Sequence, residues 1–135
     1  MKYIFIVLFL GVSIYAQDLG WSHDYKETLQ KAKKSGKLVY VLLTSDSCRW
    51  CRKFESTTLQ DKDIQKRLYK EFEVVHLSRD SDFIPEKFEL RPVPRHYFVD
   101  ENGNILYSTL GYRKVECFNS FMDNAEEKSK KINKG

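Results

Sequence analysis

The 135-residue chain has few of the side chains from which metal and cofactor sites are built: three cysteines and three histidines. A structural zinc site needs four ligands, usually two Cys-x-x-Cys pairs or one pair with two spaced histidines. One such pair is present, Cys48 and Cys51, with only Cys117 and the scattered His23, His76 and His96 left to complete a set. That composition argues against metal. Haem attachment is excluded, because it needs histidine directly after the second cysteine and Arg52 stands there. No repeat, low-complexity stretch or interdomain linker interrupts the chain. Charge of one sign is also scarce: the formal net charge is +4, and much of the surplus lies in the tail Lys128–Lys134, a solvated helix end. Nucleic-acid binding would require a basic stripe with interleaved aromatics, and none is visible.

Charge is missing altogether between Tyr3 and Ala16, an apolar run that follows Lys2 and ends before the polar Gln17-Asp18. This is the layout of a secretory signal peptide, residues 1–16, cleaved after Ala16. The run is shorter than the roughly 20 residues that span a bilayer. Ile14, third before the cut, is larger than the usual small residue, and no cysteine lies near enough for lipidation. Residues 17–135 remain, enough for one domain with a single core. Export to the periplasm or beyond would place the cysteines where disulfides persist.

Apolar residues Trp21, Tyr25, Leu29 and Ala32 share one helix face, which predicts a helix from Trp21 to Lys34. Ser22 is its expected cap and Ser35-Gly36 its stop. Leu38–Leu43 reads as a central strand covered on both faces. Lys53–Leu59 is helical, and Asp61 caps a further helical piece in which Ile64 and Leu68 share a face. Phe72–Ser78 is a second strand. Phe83–Leu90 is expected to form a short helix with Pro85 in its first turn, and Arg91-Pro92-Val93-Pro94 is non-helical. Arg95–Val99 and Ile105–Leu110 form a hairpin across Asp100–Asn104. Val115, Phe118, Phe121, Met122 and Ala125 stripe a last helix. The order α–β–α–β–α–β–β–α predicts an α/β fold, a mixed sheet of about four strands with helices on both faces.

Two readings of Cys48-Arg49-Trp50-Cys51 survive: a structural bridge and a redox couple. So short a loop removes little chain entropy when closed, which weakens the first. The setting favours the second. Cys48 follows a buried strand and opens a helix, where unpaired N–H groups and the dipole favour thiolate, the attacking species. Arg49, Arg52 and Lys53 add positive charge, with Asp46 the nearest carboxylate. Cys48 is thus the expected nucleophile and Cys51, one turn on, the more buried resolving partner. Trp50 is expected to sit partly exposed beside the sulfur.

A strand, Cys-x-x-Cys opening a helix, and a later proline before a hairpin together resemble thioredoxin. The resemblance runs from about Lys37 to Gly111, with the flanking helices completing it. Phe88–Pro94 is similar to the segment before the family's cis-proline, which implies a cis Val93–Pro94 bond with the Val93 backbone exposed to a substrate chain. Pro92 is the weaker match, since it does not directly precede the strand. Where thioredoxins bury an aspartate, six residues before the first cysteine, this chain has Leu42; the lysine usually paired with it aligns with His76. His76 is read as a proton shuttle or as a strand histidine satisfied by a neighbour. Arg95, directly after Pro94, is expected near the sulfurs, where it would stabilise thiolate and make the couple more oxidising. Cys117 reads as a small buried hydrophobe.

The resemblance implies an exported, monomeric thiol–disulfide oxidoreductase that exchanges disulfides with protein cysteines and with a membrane or soluble thiol partner. It implies no metal, organic cofactor or nucleic acid. The competing expectation is a thioredoxin-like module that grips client chains while its disulfide stays structural.

Overall fold

The computed structural model describes residues 19–135, so the leader expected over residues 1–16 lies outside the described residues. Among these, α1 (Tyr25–Ser35), β1 (Leu38–Thr44), α2 (Arg49–Ser56), α3 (Lys62–Glu71), β2 (Phe72–Ser78), β3 (Arg95–Val99), β4 (Ile105–Leu110) and α4 (Val115–Lys134) follow in order, with a short 3₁₀ turn at Thr58–Gln60. The four strands form one mixed sheet in the order β2-β1-β3-β4. β1 runs parallel to β2 and antiparallel to β3, and β3 pairs antiparallel with β4.

Alternation along β1 divides the core. Tyr40 and Leu42 face α2, α3 and α4, joining Phe54, Ile64, Leu68, Phe98, Phe118 and Met122. Val39, Val41 and Leu43 face the other way, towards Tyr25, Ala32, Phe88 and Tyr97. Both faces are therefore covered, and β1 has an almost wholly buried backbone and side-chain set, as its unbroken apolar run implied. Arg67 fastens α3 to α4 through Asp123 at 2.6 Å and Glu126 at 3.5 Å.

Three local expectations change. The first helix starts at Tyr25, four residues later than Trp21, and Asp24 is its cap, accepting from Glu27 N–H at 3.0 Å. The preceding residues are held by the sheet: Ser22 bridges to Val75, and its carbonyl accepts from His76 N–H at 2.9 Å. An extended segment that satisfies an edge strand in this way has no free backbone for helix. Trp21 instead packs edge-on against Tyr40, with ring centroids 5.7 Å apart.

The helix expected over Phe83–Leu90 does not form. A single turn, Phe88 N–H to Pro85 carbonyl at 3.0 Å, is followed by Glu89 N–H donating to the Tyr97 hydroxyl at 2.9 Å. Eight residues carrying a proline nucleate helix poorly, and burying Phe88 between Tyr25 and Tyr97 sets the path instead. Cys117 is half-buried at the start of α4, not sealed in the core as expected.

Candidate active site: the Cys48–Cys51 disulfide

β1 ends at Thr44, and Ser45-Asp46-Ser47 carry the chain from the sheet to α2. This turn is tied at both ends. Asp46 N–H donates to Asp80 at 2.7 Å, and the Asp46 carboxylate accepts from the Ser78 hydroxyl at 2.9 Å. Arg52, on α2, reaches back to the Asp46 carbonyl at 2.7 Å and pairs with Glu55 at 2.9 Å. Its guanidinium thus staples the turn.

Cys48 is the N-cap of α2, in extended geometry, and its sulfur accepts from Cys51 N–H at 3.1 Å. It forms a disulfide with Cys51, the two Cα atoms lying 5.2 Å apart. Cys48 is half-exposed and Cys51 is fully buried. A sulfur at a helix N-cap that receives a backbone N–H has a ready means of carrying negative charge. Trp50, 48% exposed, stands beside it and faces Tyr112, with ring centroids 6.0 Å apart.

The proline loop meets the same end of the sheet. Arg95 opens β3 opposite Leu43, near the end of β1 that leads to Cys48. Both Arg91–Pro92 and Val93–Pro94 are cis, so the bond expected at Pro94 has a second beside it at Pro92. Val93 is half-buried and Pro94 buried; the Pro94 carbonyl accepts from Gly111 N–H at 2.8 Å. Arg95 pairs with Glu89 at 2.7 Å and donates to the carbonyls of Arg91 and Pro92 at 3.3 and 3.4 Å. Its hydrogen bonds and ion pair all lie within residues 89–92, so this guanidinium clamps the loop.

Behind the cysteines, one register row of the sheet reads His76–Leu42–His96 across β2, β1 and β3. α2 lies over this row. Phe54 covers His96 at a centroid distance of 4.8 Å, and Glu55 reaches His76 Nε2 at 3.3 Å. The central position is apolar, as Leu42 implied, yet each neighbouring strand supplies a histidine.

Their environments differ. His96 is wholly buried; Nε2–H donates to the Gly111 carbonyl at 2.8 Å, leaving Nδ1 to accept from the Tyr40 hydroxyl at 2.7 Å. Burial pushes its pKa down to about 4, so the ring is neutral and structural at pH 7. Burial likewise holds Tyr40 in its neutral form. His76 is half-buried, with Nε2 2.7 Å from Thr44 Oγ1, and its backbone carbonyl accepts from His23 Nδ1–H at 2.8 Å. Burial lowers its pKa, with the Glu55 carboxylate pulling the other way and the His23 ring reinforcing the descent.

Glu55 and Tyr112 were not singled out in the sequence. Glu55 lies four residues beyond Cys51, on the same helix face, and that spacing was the available signal. Tyr112 had none, because its place follows from Gly111 being held by Pro94 and His96. Among the described residues no cluster of three or more histidine, cysteine, aspartate or glutamate side chains could hold a metal. A cleft of about 500 Å³ lies away from the disulfide between Trp21, Lys37, Tyr69 and Phe72. Disulfide exchange with a polypeptide needs an open surface rather than a cavity, which is what surrounds Cys48.

A profile described as thioredoxin-like domain matches residues 25–126. Anterior gradient protein 3 of Mus musculus is 27% identical over 89 residues, covering 64% of this chain and 52% of that protein. The thiol:disulfide interchange protein DsbD of Colwellia psychrerythraea is 29% identical over 102 residues, 70% of this chain and 17% of that protein. The chain thus spans about half of the former and under a fifth of the latter. A solved DsbH oxidoreductase superposes with a TM-score of 0.64 at 22% identity, covering 84% of this chain and 88% of that one.

Proposed function

The chain belongs to the thioredoxin-like domain family, and from that premise we propose that it is an exported thiol–disulfide oxidoreductase acting on protein cysteines. The observation that carries this reading is the placement of the pair. Cys48 is half-exposed at a helix N-cap, its sulfur accepting a backbone N–H, and it is bonded to a buried Cys51. A purely structural bridge would have no use for that asymmetry of exposure.

In the reduced form the Cys48 thiolate attacks one sulfur of a client disulfide, and the client's other sulfur leaves as thiolate. The Cys51 thiolate then attacks Cys48 Sγ, closes the protein disulfide and expels the client's first sulfur. Two electrons pass to the client. Run backwards, the same steps oxidise a client dithiol, and the potential of the couple against its partners sets the direction. The backbone of the half-buried Val93, before the buried Pro94, is the surface along which the client chain lies.

Cys51 must lose its proton to resolve the mixed disulfide. Leu42 offers no acceptor, so we assign that role to the polar pair one turn beyond Cys51: Glu55, held against His76 Nε2. With its pKa lowered by burial, His76 is unprotonated at neutral pH and able to take the proton.

Insulin reduction driven by dithiothreitol tests the reading. Cys48→Ser removes turnover, and Cys51→Ser accumulates mixed disulfides with Cys48. Equal activity in wild type and Cys48→Ser would end it. Titration against a glutathione buffer separates exchange from mere client binding: a potential below about −300 mV marks a structural bridge.

A further inference from the structure

Two of the cations around the disulfide are neutralised within the chain. Arg52 pairs with Glu55, and Arg95 pairs with Glu89. Two on α2 are not: among the described residues neither Arg49 nor Lys53 has a carboxylate within ion-pair distance, and both lie on the exposed face of α2 beside Cys48. Each is held over an aromatic face. The Arg49 guanidinium lies 5.4 Å from the Trp50 ring centre, and the Lys53 ammonium stands 5.1 Å from Trp50 and 4.8 Å from Tyr112. Ring faces orient a cation without cancelling its charge.

The carboxylates of α2 and of the turn before it are engaged elsewhere: Glu55 by Arg52 and His76, and Asp46 by the Ser78 hydroxyl. Past Tyr112 the rim carries Lys114, Glu116 and Asp61, the last capping α3. Tyr112 itself accepts from the Thr57 hydroxyl at 3.5 Å and follows the twice-anchored Gly111, so the ledge is preformed.

We propose that the ledge of Arg49, Trp50, Lys53 and Tyr112 selects client segments that carry carboxylates next to the reacting cysteine. The inference rests on the exchange reading above and adds a substrate class to it. A client chain lying between α2 and the proline loop presents the residues flanking its cysteine to these two cations. Its carboxylates form new ion pairs there, and its apolar atoms cover the rings. Opposite charge at this distance raises the encounter rate and fixes orientation.

The test uses two synthetic peptides, each with an internal disulfide, identical except that the residues flanking both cysteines are Glu in one and Lys in the other. The protein is reduced with dithiothreitol, freed of it, and mixed with each peptide in a single turnover. Each rate is divided by that peptide's rate with dithiothreitol alone, which removes intrinsic differences between the peptides. The Glu peptide should react about tenfold faster than the Lys peptide at low salt, and the gap should close at about 0.5 M salt. Lys53→Glu should collapse or invert the ratio; because the ratio is taken within one protein, any change in Cys48 reactivity cancels. Equal normalised rates for the two peptides, both reacting, would overturn the selectivity and leave the exchange reading intact. Failure of both peptides to react would remove the two together.

Discussion

On one side of the disulfide the chain is a helix, and on the other a loop with two cis-prolines, and the two walls are held in place by different forces. α2 is set by Phe54, fully buried between His96 and Phe118 at centroid distances of 4.8 and 5.3 Å, and by its own hydrogen-bond ladder. The loop from Glu89 to Pro94 has no such ladder. Arg79 donates to the Leu90 carbonyl at 3.2 Å, Tyr97 takes Glu89 N–H, and Arg95 spans Glu89, Arg91 and Pro92. The first wall depends on burial and the second on a few charged and polar contacts near solvent. A firmly anchored cysteine helix facing a more adjustable loop fits the exchange chemistry proposed above.

The sharpest way to break this comparison is at the helix wall. Phe54→Ala should cost about 3–5 kcal/mol, as for other fully buried aromatics, read as a fall in the urea midpoint with unchanged slope. A loss under 1 kcal/mol would show that α2 is not anchored by its core contact.

His96 joins the two walls, lying under Phe54 while bonding to Gly111. Its folded-state pKa of about 4 lies below the usual 6.5, so the unfolded chain binds the extra proton first as pH falls. The stability is present in full above pH 6.5 and drains as pH drops towards 4, by about 3 kcal/mol. Denaturant titrations at several pH values should show this slope, and His96→Phe should flatten it. An unchanged slope in the variant would assign the pH dependence to other groups.

Next in size is the resolving step. Glu55→Gln should slow release of a trapped mixed disulfide by about a hundredfold, the lower end of general-base effects, and shift its pH profile, while leaving the initial attack by Cys48 nearly untouched. Quench-flow with a chromogenic disulfide resolves the two phases. Equal slowing of both phases would place Glu55 in orienting α2 instead.

The smallest effect belongs to the loop wall. Glu89 is largely exposed in its pair with Arg95, and such pairs contribute about 0–1 kcal/mol. Glu89→Gln should therefore leave the urea midpoint almost unchanged while altering exchange rates by less than threefold. A large stability loss would mean that the two walls are not built differently after all.

Much of the scaffold was legible because it is encoded locally. The apolar run of β1, the cap Asp61 before α3 and the turn at Asp100–Asn104 each carry their pattern within a few residues. Asp61 does cap α3, accepting from Asp63 and Ile64 N–H at 3.0 Å. Errors fall where a distant partner takes over the backbone. Ser22 is drawn onto β2, and Glu89 N–H is taken by Tyr97. The candidate site divides the same way: Cys48, Cys51 and Trp50 follow from spacing along one helix, whereas Glu55 gains a role only because His76 comes from another strand.

By itself, then, the order of residues determined where the strands and most of the helices fall, which two cysteines can meet and which of them opens a helix. Those are properties of a chain's own periodicity and of bonds closed within one turn. Tertiary structure alone decided which cations near Cys48 stay unneutralised, which histidine is silent and which faces a carboxylate, and how the proline loop is fastened. Each depends on groups far apart in sequence brought within a few ångströms, where burial and ion pairing set the charge that a side chain can carry.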